Sequence, residues 1–365
     1  MLKYKQKGNS IVRFIVLFYG VFFPIVVHAT RSIHRINTEE LPTITVSSTQ
    51  NPTPYKLMDT NLRPVPLLHI FDKKHFMENL LPKTPIEIDT QKIDTIVINT
   101  LANELLNEID QKHKTYKNFT ILKQSGFVRY KKSGLLIVKF KDYPLVLKLF
   151  IEPPESFVNP YDKGFEATNF FIAGGAMRHT LGFTRLKTRM YVQQKILESP
   201  IWRDKIIMPR KWFWLPASPV WLTIKTHNIG KKAEDAIQLP AIYGVIAEEL
   251  HRDPTKKTDY NELMSLSRFL EHRIDPHTKN FFIEKNTGKI ALIDTELFPI
   301  ILGFDAPIKP QSTHIKWYLY LAGKYVKEKL FTPKNKRQER KTNITHYYVD
   351  TRNPTAPAIA QPAQQ

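Results

Sequence analysis

The pattern of apolar and polar positions divides the chain into segments of different period. Between residues 94 and 116, Ile96, Val97, Leu101, Leu105 and Ile109 recur at helical spacing. Glu104, Glu108, Asp110 and Lys112 fall on the other side, so the spacing predicts an amphipathic helix packed on the domain that follows. From Phe119 the period shortens. Residues 127–130, 135–140 and 145–150 are apolar or alternating runs, separated by Lys131-Lys132-Ser133-Gly134 and Lys141-Asp142-Tyr143-Pro144. They predict an antiparallel meander, with Lys148 inside its third strand. Residues 185–197 predict a helix, and residues 206–214 and 220–226 two further strands around Pro216 and Pro219. Residues 239–250 and 260–270 predict two helices, and residues 314–330 one more, with Trp317, Leu321 and Tyr325 at helical spacing. The fold class expected is α+β, an antiparallel sheet part followed by a small helical part.

The flanks differ. Residues 1–13 carry Lys3, Lys5, Lys7 and Arg13 without an acid, and residues 14–27 are apolar apart from Gly20 and Pro24. With Val27-His28-Ala29 as a loose cleavage site, residues 1–29 predict a signal peptide or membrane anchor, hence a membrane-associated or secreted protein. The run is shorter than the ~20 residues of a comfortable span, although extension back to Ile11 permits an anchor. Arg31 and Arg35 beyond it leave the orientation poorly specified. Pro42, Pro52, Pro54, Pro64 and Pro66 among Thr, Ser and Asn predict an extended linker over residues 30–92. A sheet-bearing unit is expected over 93–228 and a helical one over 229–331. Residues 332–365, polar and then rich in Pro, Ala and Gln, predict a disordered tail.

Residues 272–296 carry the densest chemistry. Asp275, His277 and Asn280 precede a short apolar strand at 281–284; Asn286-Thr287-Gly288 supplies turn chemistry; a second strand at 290–293 ends in Asp294. A tight hairpin brings its two ends together, so Asp275, Asn280 and Asp294 converge. Two carboxylates and an amide suit Mg²⁺, which takes one or two carboxylates and completes its shell from water and phosphate. One histidine in this constellation argues against Zn²⁺. Cysteine is absent, which excludes disulfides, thiolate metal sites and a cysteine nucleophile. The net charge of +20, from 54 Lys and Arg against 34 Asp and Glu, favours anionic partners: nucleotides, nucleic acid or an anionic membrane surface. No dense basic block runs through the central region, which argues against nucleic acid.

The sequence Asp-x-His-x-x-Asn at 275–280, two short strands and Ile-Asp-x-Glu at 293–296 resemble the catalytic loop and metal segment of the aminoglycoside phosphotransferase and choline kinase group, within the protein-kinase-like fold. The resemblance implies a two-lobed architecture and an ATP- and Mg²⁺-dependent phosphotransferase. Asp275 would be the base facing an acceptor hydroxyl on a small molecule or protein; Asn280 and Asp294 would hold Mg²⁺ on the phosphates; His277 would match the family's loop histidine. Lys148 in Leu145-Val146-Leu147-Lys148 resembles the phosphate-contacting strand lysine. Gln124-Ser125-Gly126-Phe127 takes the place of the phosphate loop without its Gly-x-Gly-x-x-Gly pattern. Glu166 is the candidate acidic partner of Lys148, and residues 221–226, with Ile224 and Thr226, stand where the adenine-binding hinge belongs. The resemblance covers residues 119–331 and is specific only in the catalytic loop.

Two other classes fit parts of the sequence. A catalytically inactive kinase-like binding module fits the missing glycine loop. A basic protein held on nucleic acid or a membrane fits the charge alone, and predicts steep salt dependence and indifference to loss of Asp294.

Overall fold

The computed structural model describes residues 43–50, 55–58, 71–124, 127–157, 175–227, 236–271, 274–275 and 277–296, all within one compact unit, Thr43–Gln365. The expectations for residues 1–29, the tail 332–365 and the helix 314–330 fall outside these. Among the described residues no helix is long and apolar enough to cross a membrane.

The fold is mixed α and β, with several antiparallel sheets and few helices among the described residues. The expected meander forms as β5 (Phe119–Lys123), β6 (Phe127–Val128), β7 (Ser133–Phe140) and β8 (Leu145–Ile151), a 3₁₀ turn Arg129–Lys131 lying between β6 and β7. Two later strands, β10 (Lys211–Trp214) and β13 (Ile242–Glu248), extend it in the order β10-β13-β8-β7-β5, with β6 also on β7. β8 is therefore interior, flanked by β7 and β13.

Residues 239–250 do not form the expected helix. They contribute the end of β12 (Ala236–Pro240) and the whole of β13. β13 is paired on both edges and packs on both faces: Ile246 joins one core, Tyr243 and Val245 another. A strand covered on both sides loses its period of two and reads as an unbroken apolar run.

The segment expected as a linker is also structured in part. β1 (Thr43–Ser48) lies between β2 (Tyr55–Met58) and β11 (Trp221–His227) in a second sheet, ordered β12-β11-β1-β2. Further along come a short helix α1 (Lys73–Glu78), capped by the Asp72 side chain, and the hairpin of β3 (Ile86–Ile88) and β4 (Gln91–Ile93).

The predicted amphipathic helix is α2 (Thr95–Asp110), its first turn capped by Asp94, which accepts from the Ile96 N–H at 2.8 Å. The buried stripe is Ile98, Ala102, Leu105 and Ile109, packed on Leu136 and Val138 of β7 and Leu147 and Leu149 of β8. Ile96 and Val97, expected on that stripe, are exposed, because the cap places Thr95 and Ile98 inward. Burying such a stripe contributes about 1.5–3 kcal/mol per large side chain.

On the other face of the same sheet, Phe150 of β8 and Tyr243 of β13 stack with ring centroids 4.8 Å apart. They meet Val46 of β1, Ile224 of β11, and Phe183 and Leu186 around the start of a long helix. That helix is α4 (Thr184–Leu197), preceded by α3 (Gly175–Gly182). The far half of α4 belongs to a third core. Val192 and Ile196 meet Leu263 and Leu266 of α5 (Tyr260–Phe269), and with them Phe281 of β14 (Phe281–Ile283) and Ile290 and Leu292 of β15 (Ile290–Leu292). β15 also pairs in parallel with β9 (Ile206–Ile207), a contact that a two-residue strand does not announce in sequence. α4 thus ties the large sheet to the hairpin that carries Asp294.

Candidate active site

Period-two alternation turns Val146, Lys148 and Phe150 of β8 to the face opposite Leu145, Leu147 and Leu149. Lys148 therefore points not to solvent but toward α4 and the segment after β15, with only 13% of its side chain exposed. Its ammonium donates to Asp294 Oδ2 at 2.9 Å, across 146 positions of sequence. The other carboxylate oxygen, Oδ1, accepts from Arg185 in the first turn of α4; the second arm of that guanidinium reaches Glu296 Oε2. Arg185 is 3% exposed and lies over the Phe150 ring, its Cζ 5.6 Å from the centroid. A third cation, Lys211 of β10, donates to the Ile293 carbonyl and to Thr295 Oγ1, both at 3.0 Å. The Thr295 hydroxyl in turn donates to the Arg185 carbonyl at 2.6 Å. Lys211 and Thr295 thus fix residues 293–295 against β10 and α4.

The catalytic-loop candidates lie beside this cluster. The hairpin forms as the sequence predicts, Phe281 opposite Leu292 and Ile283 opposite Ile290. Its turn is closed by the Glu284 carboxylate, which accepts from the N–H groups of Asn286 at 3.0 Å and Thr287 at 2.7 Å. Gly288 follows at φ 68°, in the left-handed region that favours glycine. One strand position earlier, the Ile293 N–H donates to the Asn280 carbonyl at 3.1 Å, so the loop and Asp294 are held together as expected.

Within the loop, Asp275 Oδ1 accepts from the His277 N–H at 3.0 Å and His277 Nδ1 from the Lys279 N–H at 3.1 Å. His277 thereby caps the 3₁₀ turn Thr278–Asn280 and shapes the loop. The Asn280 amide lies beside Asp275 and draws its pKa down, yet Nδ2 is buried and reaches no partner at hydrogen-bond geometry.

Charge is distributed unevenly. Burial, aided by the negative charge of Asp294, raises the Asp275 carboxyl to about 6; the His277 N–H, Asn280 and Arg185 oppose this. At neutral pH it is ionised but basic enough to accept a proton. For Asp294 burial works against ionisation, but Arg185, then Lys148 and Lys211, outweigh it and hold the group far below the usual carboxylate range. Burial also raises Glu296, with Arg185 pulling the other way. Burial and the neighbouring Arg185 lower Lys148, while Asp294 counteracts them.

Oxygen donors of the kind a hard divalent cation takes are present: the Asp294 carboxylate, the Asn280 amide with its unsatisfied nitrogen, and Asp275 and Glu296 close by. Among the described residues no group of three or more His, Cys, Asp or Glu side chains is arranged to hold a metal ion. The donor set fits Mg²⁺ in kind, and Arg185 and Lys148 occupy the same Asp294 oxygens.

Of the residues predicted from sequence, Lys148, Asp275, His277, Asn280 and Asp294 come together. Ile224 and Thr226 do not join them. Ile224 is fully buried in the second core, paired with Val46 on one side and Ile237 on the other; Thr226 lies opposite Ile44. Strand β11 therefore has no free backbone at Ile224 for an adenine. The strand that leaves the large sheet toward α5 is β13, and residues 249–253 follow it, with the Asp253 N–H donating to the Ile283 carbonyl at 2.9 Å. Gly126 and Glu166 lie outside the described residues. Arg185, Lys211, Thr295 and Glu296 were not legible as site residues. Only Glu296, through its place in Ile-Asp-x-Glu, carried any signal.

No family model, curated protein or solved structure matches this chain.

Proposed function

We propose that this protein is a phosphotransferase that uses MgATP and delivers the γ-phosphate to a hydroxyl of a small molecule or protein. The observation that carries the proposal is the meeting of Lys148 and Asp294 at 2.9 Å beside a loop bearing Asp275 and Asn280. A strand lysine from one part of the chain and a loop carboxylate and a carboxylate after the hairpin from another, distant part are the groups phosphoryl transfer requires for clamping phosphate, orienting the acceptor and holding the metal. The order of elements supports it too. A sheet strand with the lysine is followed by helix α4, an exit strand β13, a short connection at 249–253, helix α5 and then the Asp275 loop. In this assignment the connection at 249–253, rather than β11, takes the hinge position of the kinase-like, two-lobed arrangement.

Asn280 and Asp294 are the residues that would hold Mg²⁺, which supplies neutralisation of phosphate charge when bound. Lys148 binds a phosphate oxygen. Asp275 accepts the proton of the acceptor hydroxyl as its oxygen attacks the γ-phosphorus, and the bond from that phosphorus to the β-phosphate bridging oxygen breaks to release ADP. His277 keeps the Asp275 loop in shape. Membrane attachment or export through residues 1–29 belongs to the same proposal.

A second reading, an inactive kinase-like binding module, draws support from one feature: both oxygens of Asp294 are already taken by cations. Turnover separates the two. With γ-labelled ATP and a panel of hydroxyl acceptors, the phosphotransferase transfers label, and Asp275→Ala loses transfer by about 10²-fold or more while ATP binding persists. Binding of MgATP with no transfer to any acceptor or to water favours the inactive module.

A further inference from the structure

Helix α4 offers the strand lysine no acid. Its first turn presents Arg185 instead, and that arginine bridges Asp294 and Glu296 rather than reinforcing Lys148. We infer that Arg185 is an exchangeable occupant of the cation site: its guanidinium stands in for the divalent cation on Asp294, and leaves that oxygen for a phosphate when nucleotide and metal arrive together. The inference rests on the nucleotide reading given above.

Three observations support it. Arg185 takes Asp294 Oδ1, one of the only two oxygens this carboxylate has, so a cation on Asp294 must displace Arg185 or Lys148 or share with them. Arg185 Nε is buried and without a partner, so the bridge leaves one donor of the fork unspent in a nearly sealed site. Guanidinium forks match phosphate as well as carboxylate, and a phosphate oxygen arriving beside Lys148 offers Arg185 an acceptor to exchange for Asp294.

The consequence is a coupling. Without nucleotide, a divalent cation must displace the buried cations on Asp294 or share its oxygens with them, and Arg185 is offered no new acceptor in exchange, so the metal binds weakly. With nucleotide present it binds tightly. Removing the arginine should uncouple the two.

The test is Mn²⁺ binding to the full-length protein, followed by loss of the free Mn²⁺ electron paramagnetic resonance signal, with and without the non-hydrolysable analogue AMP-PNP. Wild type should bind Mn²⁺ appreciably only with the nucleotide. Arg185→Gln should bind it without nucleotide, at least about tenfold more tightly than wild type, because a unit positive charge in contact with the ligand has gone. Should Arg185→Gln fail to fold, Arg185→Met, which keeps much of the length of the side chain without its charge and leaves Glu296 in place, is the second variant, and the same gain is expected from it. Nucleotide-free Mn²⁺ affinity equal in wild type and either folded variant would overturn the exchange. Wild type that binds Mn²⁺ equally with and without AMP-PNP would overturn the coupling. A wild type that ignores nucleotide while the variants still gain Mn²⁺ affinity would contradict the phosphotransferase reading and leave Arg185 as the occupant of a cation site.

Discussion

Asp294 is held by two cations, with a third close by; Asp275, in the loop joined to it by the bond from the Ile293 N–H to the Asn280 carbonyl, is held by N–H groups and burial. On the proposed function the two carboxylates have opposite tasks. Asp294 is held ionised well below the usual carboxylate range, as a metal ligand would need, whereas Asp275 at about 6 can take up and release a proton. Replacing each separates the roles. Asp275→Ala should abolish transfer and leave Mg²⁺-dependent nucleotide binding within a few-fold of wild type, measured by calorimetric titration. Asp294→Ala should lose that binding, and also cost about 3–5 kcal/mol of stability, because Lys148 and Arg185 are left buried without their partner. Equal loss of binding in two folded variants would contradict the assignment. A different residue contributes to the acid limb of stability. His179 of α3 is buried among Phe150, Phe157, Phe183 and Tyr243, and its Nε2–H donates to the Pro240 carbonyl at 2.8 Å. Burial lowers its pKa from 6.5 to about 3, the bond to Pro240 opposing this only weakly. The unfolded chain therefore binds a proton that the folded one refuses between those values. The contribution is fully present above pH 6.5 and falls as pH drops toward 3, by up to about 1.4 kcal/mol per unit. Melting temperatures of His179→Phe should show a flatter slope between pH 6.5 and 4.5 than wild type; identical slopes would count against His179.

At the scale of elements, two glycines mark where packing leaves no room. A Cβ on Gly182, at the end of α3, would meet the Tyr243 hydroxyl at 2.0 Å and the Phe150 ring at 2.8 Å. Both are rigid and stacked on one another, and behind them sits Arg185. A Cβ on Gly244 of β13 would meet Leu147 Cδ1 at 2.6 Å, the end of a side chain that can turn away. Gly182→Ala should therefore destabilise by about 3 kcal/mol, at the upper end of overpacking changes, and Gly244→Ala by about 1 kcal/mol, in denaturant titrations. The reverse order would place the tight packing elsewhere. The hairpin at 281–292 was legible because its signals are local: two short apolar runs and the Asn286-Thr287-Gly288 turn between them, which the structure closes with Glu284 and a glycine at positive φ. So was α5, whose Asp259 cap and 3.6-residue period need nothing from outside. What escaped depends on partners far along the chain. β13 reads as helix because neighbours cover both its faces; β1 hides among prolines although Val46 is fully buried against β11; β9 is two residues long and exists through β15. Arg185 belongs with these, since nothing in a helix start tells which carboxylates its side chain will meet 109 and 111 positions later.

For the molecule as a whole, the site lies where three cores of the described residues come together. Phe150 and Leu186 belong to one, Leu147 and Leu149 to the next, Ile290 and Leu292 to the third, and Lys148, Arg185 and Asp294 are interleaved with them in sequence. A ligand that bridges Lys148 and Asp294 thus ties the interior of the large sheet to the last described segment, and its binding energy adds to global stability. By mass action a ligand at about 100 times its dissociation constant adds about 2.7 kcal/mol. At roughly 2–4 °C per kcal/mol for a unit of this size, that is a melting shift of several degrees. The most direct measurement is the melting temperature of the protein with ATP, with and without Mg²⁺, beside Asp294→Asn, which keeps the size of the side chain. The phosphotransferase account predicts a rise of several degrees that requires Mg²⁺ and disappears in the variant. No rise with MgATP, or a rise equal in Asp294→Asn and without Mg²⁺, would contradict it.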